Sequence, residues 1–311
     1  MDSPRMPDFD RRAFLARACA LGAGSLLGLH NGSASAEPAL ETKRIRFIHA
    51  PSICIAPQYL AEELLRLPKW NTSPWERETV HTPSPKVART SGCYELFGND
   101  RVRAIRDLKG KTVAIQYFGG GDHILLSSML AYVGMNPHQD VTWIAGENLR
   151  DAMGLFVEGK ADSFLGFAQQ PEELRTKKIG HSILNTAQER PWSQYFCCMV
   201  AANREFAQRH PIATRRVLRG ILKAADICAA EPQRVARYLS DKLYEPRFQI
   251  GLAVMKSLPY NRWRDGNPED TLRFHALRLH QVGMIKSPPN KLIAQSTDWR
   301  FLNELKKELK A

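Results

Sequence analysis

The stretch Gln116-Tyr117-Phe118-Gly119-Gly120-Gly121-Asp122-His123 combines backbone freedom with polar side chains. Three successive glycines let the backbone approach a ligand closely, and a helix beginning behind them would offer its positive end to an anion. The same pattern also fits a plain turn with Asp122 as the helix N-cap. An ionised Asp122 repels an anion, so an anionic ligand requires this carboxylate to be tied up in capping. His123, in the first helical turn, is expected to stay neutral beside that positive end and to have one hydrogen bond to donate. The loop carries no Gly-Lys-Ser/Thr, which argues against a nucleotide phosphate loop. Two further strand exits carry suitable chemistry. Ser52 follows Ala50-Pro51 and can donate to a ligand or cap the next helix. Phe167 offers a wall, with Gln169 and Gln170 as neutral donors and acceptors or as parts of a surface loop. Trp192, Gln194 and Tyr195 lie where the chain would cross between lobes, with Trp192 and Phe196 read as core.

Enzyme signatures are absent. There is no Gly-x-Ser-x-Gly elbow and no His-Glu-x-x-His. His275 and His280 are five apart on a predicted helix and so lie on different faces. Six cysteines include Cys19, Cys54, Cys93, the adjacent Cys197-Cys198 and Cys228, with no C-x-x-C or Cys/His pair at zinc spacing. They read as small buried apolar residues rather than a disulfide framework or a metal site. No catalytic residue, metal or cofactor is expected.

The 311 residues are 43% apolar and 24% charged, with a formal net charge of +12. Those fractions exclude collagen-like and mostly disordered chains. The positive charge is spread out, and no basic segment alternates with aromatics as nucleic-acid-binding surfaces do, so no nucleic-acid partner is expected.

Around the candidate loops the chain alternates strands and helices. Arg44–His49 reads as a strand and 57–65 as a helix. Asp107-Leu108-Lys109-Gly110-Lys111 turns into a strand at 112–116, and Gly119-Gly120-Gly121-Asp122 opens a helix through Val133. Val141–Ile144 is a strand, 149–157 a helix, 161–167 a strand and 193–201 an extended run. From Asn203 the pattern is helical, over 203–209, 212–230, 232–240, 246–256, 268–282 and 298–309, with Leu302, Leu305 and Leu309 as the buried stripe of the last. Single helices between strands imply parallel sheets built from βαβ units.

The first 36 residues read as an export signal. Arg11-Arg12 precedes a Gly/Ala-rich apolar stretch, Ala18–Leu29, and an Ala34-Ser35-Ala36 ending. This resembles a twin-arginine signal peptide cleaved after Ala36. No segment is long and apolar enough to span a bilayer, and no lipid anchor is expected.

The run His49–Glu63, with its Ala-Pro-Ser strand exit, resembles the first strand and helix of periplasmic substrate-binding proteins of the nitrate/sulfonate/taurine class, which feed ABC importers. Asp107–Ala114 is similar to that family's entry into the second lobe, and Leu155–Phe167 to its helix–glycine–strand unit. The resemblance implies an α/β, two-lobed periplasmic-binding-protein-like fold (type II), with parallel sheets flanked by helices and a helical C-terminal part. Lobe 1 would comprise 40–97 and 200–311, and lobe 2, with the crossover segments, 98–199. It implies no catalysis and no cofactor. The function implied is delivery of a small, nitrate-, sulfonate- or taurine-like anion to an ABC permease and ATPase complex in the periplasm. The alternative is a degenerate or truncated paralogue acting as an interaction or sensor module. Pyrimidine-precursor biosynthetic proteins share the broad fold, but their signature of a His and clustered Cys does not match Cys197-Cys198-Met199. The ligand contacts expected are Ser52, Gln116, Tyr117, Gly120, Asp122, His123, Phe167, Gln169, Gln170 and Tyr195. The resemblance breaks at 67–92, where four prolines and no periodicity point to an irregular, shortened first lobe. The helix 57–67 should then expose apolar surface, and the ligand should be held mainly by lobe 2.

Overall fold

The computed structural model describes residues 38–48, 52–66, 76–80, 90–91, 93–146 and 149–310. The expected signal peptide and cleavage site lie outside the described residues.

Alternation of apolar and charged residues sets the first strand. In β1 (Arg44–Ile48) the side chains of Ile45 and Phe47 are buried while Arg44 and Arg46 are exposed. A 3₁₀ turn at Ile53–Ile55 leads into α1 (Ala56–Leu64), and the chain returns as β2 (Glu76–Val80). β2 pairs with β1 in parallel over all five residues. β1, α1 and β2 therefore form one βαβ unit. This corrects the expectation that 67–92 holds no regular structure, because β2 and the short β3 (Thr90–Ser91) both lie within it. The segment cannot hold a complete unit, but it supplies the second strand of the unit that β1 begins.

The expectation of an exposed first helix is also overturned. Eight of the nine residues of α1 are buried, because C-terminal helices cover it. Leu65 lies against Gly220 of α6 (Pro211–Ala230), where a Cβ would come within 3.2 Å of the leucine. Tyr238 of α7 (Pro232–Asp241) donates its hydroxyl to the Tyr59 carbonyl at 3.1 Å. Tyr59 stacks on Tyr244 with ring centroids 4.0 Å apart. Tyr260 donates to the Ile53 carbonyl at 2.8 Å. Residues far along the sequence thus bury the surface that missing first-lobe strands were expected to leave open.

The second sheet has five strands in the order β6 (Val141–Ala145), β5 (Lys111–Ile115), β7 (Ser163–Phe167), β4 (Tyr94–Gly98), β8 (His181–Asn185). β5 pairs in parallel with β6 and β7, whereas β4 runs antiparallel to β7 and β8. The sheet is therefore mixed, not purely parallel. The strand β4 also crosses the expected 97/98 lobe boundary and joins the 98–199 segment. Its buried Glu95 is held by Arg175 and by Asn185, whose amide donates at 3.2 Å. Helices α2 (Gly121–Tyr132), α3 (Leu149–Val157) and α4 (Gln169–Lys177) connect these strands. Phe97, Ala114, Ala152, Phe156, Ala161, Phe164 and Leu174 make the core on one side. The short β3 pairs antiparallel with β9 (Phe196–Cys198).

The remaining helices are α5 (Arg204–Arg209), α8 (Phe248–Ser257), α9 (Pro268–Gln281), α10 (Pro289–Ser296) and α11 (Arg300–Glu308). Leu302 and Leu305 of α11 pack with Leu222, Ala225 and Trp263, and Leu309 closes the stripe as expected. No helix among the described residues is long and apolar enough to cross a membrane.

Leu60, wholly buried in α1, tests the covering of the first unit. Leu60→Ala should destabilise the fold by about 2–5 kcal/mol, read as a lower urea midpoint. A loss within about 0.5 kcal/mol, the range of surface substitutions, would contradict a buried α1.

Candidate functional site

β5 and β7 are parallel neighbours, so their carboxyl ends leave the sheet side by side. Ligands of open α/β sheets collect beyond such ends. At the first exit, Gly119 adopts a φ of +80°, a region that disfavours other residues, and Gly120 takes the N-cap position of α2. Asp122 is not the N-cap. Its Oδ2 instead accepts from the Gln116 backbone N–H at 2.7 Å, while Oδ1 is buried with no hydrogen-bond partner among the described residues. Burial pushes this carboxyl above its ordinary range against the lowering pull of the Gln116 N–H.

His123 turns inward as well. Its Nδ1 accepts from the Gly119 N–H at 3.0 Å, which leaves the proton of the neutral ring on Nε2. Phe118 and Trp143 meet the ring edge-on, at 5.4 Å and 4.8 Å between centroids. Desolvation, with the charge of His138 adding to it, holds the imidazole below its ordinary pKa. His123 is therefore a neutral Nε2–H donor, as its place in the first helical turn suggests. Tyr117 and Phe118 are exposed, by 42% and 62%, at the mouth of the loop.

At the second exit, Gln170 Oε1 accepts from the Phe167 N–H at 3.0 Å, and Gln169 and Gln170 are both buried. They belong to the first turn of α4 rather than to a surface loop. Tyr94 joins the two exits. Its ring lies 4.6 Å from that of Phe167, and its hydroxyl stands within 2.7 Å of where a Cβ on Gly121 would be. Gly121 is thus required by contact with a tyrosine, a constraint invisible in the local sequence. Tyr94 was not among the expected site residues. Its signal is only retrospective, as a tyrosine opening an apolar strand.

Two expected residues stand apart. The Ser52 hydroxyl makes no cap bond and sits 3.0 Å from the Cys54 sulfur, buried. Tyr195 stacks on Phe274 at 3.8 Å within a cluster that includes Tyr132 and Trp192. Its ring partners are Phe274 and His275 of α9. In the same cluster the His275 Nδ1 lies 2.9 Å from the Ser128 hydroxyl. Cys54, Cys93 and Cys198 also converge, which no sequence spacing announces because they lie on three separate segments.

A family model described as NMT1/THI5-like matches residues 90–235. This stretch contains every candidate residue except Ser52. No curated protein matches the chain. Among solved structures, the periplasmic nitrate-binding protein NrtA of Synechocystis PCC 6803 superposes with a TM-score of 0.70 at 11% identity, covering 88% of this chain and 90% of NrtA. The periplasmic sulfonate-binding protein SsuA of Methylobacillus flagellatus KT gives 0.59 at 16% identity over 87% and 95%. A Candida albicans protein described as having the generic periplasmic binding protein fold gives 0.59 at 10% identity over 84% and 96%. The chain therefore has the fold of periplasmic binding proteins, as the resemblance implied.

Burial, with Arg278 adding like charge, pushes His275 down to about 4 from 6.5. A histidine depressed on folding binds protons more readily when unfolded, so stability present at neutral pH is lost as pH falls from 6.5 towards 4. The urea midpoint should fall across that window, and less so in His275→Gln. An equal fall in both proteins would contradict this role.

Proposed function

We propose that the chain is a solute-binding protein of an ABC importer, binding its ligand at the paired exits of β5 and β7, and is not itself an enzyme. The observation that carries this reading is the bridge by Tyr94 between the start of α2 and the end of β7, inside the stretch that the NMT1/THI5-like model matches. The donors this reading assigns to the ligand are neutral: the Tyr94 hydroxyl, His123 Nε2–H and the Gln169 and Gln170 amides. Such donors recognise a small oxyanion of nitrate or sulfonate type through hydrogen bonds rather than a full counter-charge. The names of NrtA and SsuA support the same ligand class.

The mechanism is cleft closure between lobes joined by the crossover pair β3 and β9. Ligand that touches both lobes favours the closed state by its differential affinity, and closure creates the surface that a permease and its ATPase recognise. The lobes are 40–92 with 200–311 and, with β4 moved across, 93–199. The complete β1–α1–β2 unit speaks for a working first lobe and against a truncated paralogue. Tyr195 and Ser52 act in this reading as supports, not contacts.

Asp122 makes the ligand's charge testable. An anion beside this carboxyl raises its pKa further, so binding takes up a proton and tightens as pH falls. Calorimetric titration with methanesulfonate, taurine and nitrate should show one site whose affinity rises as the pH is lowered, because Asp122 is raised above its ordinary range. In Gly120→Val the new side chain meets Asp122 Oδ1 at 2.8 Å and the Tyr117 carbonyl at 2.9 Å from Cβ alone. That variant should keep its far-UV circular dichroism and lose the ligand. Wild-type affinity in Gly120→Val would exclude this loop.

Periplasmic delivery rests on Arg11 and Arg12. Replacing both with Lys should leave the full-length chain in the cytoplasm. Unchanged export would contradict the twin-arginine reading.

A further inference from the structure

The thiols of Cys54, Cys93 and Cys198 all lie within 4.8 Å of one another. Cys93 and Cys198 sulfurs are 3.5 Å apart, and Cys54 and Cys198 sulfurs 3.9 Å. In a tetrahedral zinc site with Zn–S bonds of ~2.3 Å, neighbouring sulfurs stand ~3.8 Å apart. The two observed separations bracket that spacing. Without any backbone change, then, the three side chains already approximate one face of a thiolate tetrahedron.

We propose that Cys54, Cys93 and Cys198 form a binding site for a thiophilic divalent cation of zinc type. The donor set is all sulfur, which selects soft or borderline metals over magnesium or calcium. A divalent ion also suits the charge. Three thiolates around it leave one net negative charge in a buried position, where a monovalent ion such as Cu(I) would leave two. The Ser52 hydroxyl, 3.0 Å from the Cys54 sulfur, is an oxygen close enough to be offered for the fourth position. Cys54 and Cys93 are buried while Cys198 is half-buried, which gives the ion an entry side.

Binding would release protons. Each thiol gives its proton to solvent as the Zn–S bond forms, and no oxidant or reductant is involved. Affinity therefore falls steeply as pH is lowered.

The location gives the site a consequence. Cys54 lies in the turn after β1 in the two-stranded sheet, Cys93 immediately precedes β4 of the five-stranded sheet, and Cys198 ends β9 of the crossover pair. One ion would cross-link these three segments and raise the stability of the fold, because it binds only where they are assembled.

Cobalt(II) titration of the full chain, reduced with a phosphine and freed of metal by a chelator, tests this. One equivalent should produce a sulfur-to-cobalt charge-transfer band and the intense visible bands of a tetrahedral site, both displaced by zinc. Zinc should also raise the thermal midpoint. Cys54→Ser, Cys93→Ser and Cys198→Ser should each weaken binding by more than the roughly 10–100-fold that a supporting partner is worth. Cys228→Ser, buried outside the cluster, should bind as wild type. Should a buried variant fail to fold, Cys198→Ser, at the half-buried position, decides alone. A reduced wild-type chain without the charge-transfer band, or a band that survives in Cys198→Ser, would overturn the proposal. So would a Cys93–Cys198 disulfide that persists under reductant and blocks uptake.

Discussion

The β5–α2 loop is held by its own side chains, and the candidate site depends on that. A strand that ends and a helix that begins within six residues leave several backbone N–H groups to satisfy. Asp122 takes the Gln116 N–H and His123 takes the Gly119 N–H. Both side chains are thereby turned inward, one becoming a buried carboxylate and the other a neutral ring with a single defined donor. The glycines follow from this arrangement. Gly119 supplies the positive φ, Gly120 leaves room for the Asp122 carboxylate, and Gly121 leaves room for the Tyr94 hydroxyl. A triple glycine that reads as freedom to approach a ligand is also what lets the loop close on itself.

Local periodicity carried most of the elements. The strands at Arg44–Ile48 and Lys111–Ile115 and, α10 (Pro289–Ser296) apart, the helices from Pro211 onward lie within two or three residues of where alternation and amphipathic spacing put them. The elements it missed include α4, β8 and α10, and the larger failures are non-local. β4 is only five residues long and carries Glu95, and its antiparallel direction is set by β7 and β8. β2 consists of Glu-Arg-Glu-Thr-Val, a sequence without apolar alternation at its start, and it is a strand because β1 offers an open parallel edge. α1 is buried because Tyr238, Tyr244 and Tyr260 reach it from the far end of the chain.

The site shows the same division. Gln116, Asp122 and His123 announce themselves as one short segment between a strand and a helix. Their partner Tyr94 is 22 or more residues away and enters only through sheet order. The cysteine cluster is the extreme case, since two of its members are separated by 105 residues and another pair by 144. Metal-site reading by spacing finds ligands carried on one hairpin or helix turn, and this set comes from three segments. Sequence places Tyr195 at the crossover, and its stacking on Phe274, 79 residues further along the chain, is equally non-local.

The central claim is that a solute occupies the joined exits of β5 and β7. Amide chemical-shift mapping of the isotope-labelled chain during titration with methanesulfonate tests it most directly. The account predicts that the largest perturbations fall together on Gln116, Gly119, Gly120, Gly121, Phe167 and Gln170, with the Tyr94 ring signals moving in step. Perturbations confined to other parts of the chain, with these amides unmoved at saturation, would contradict it.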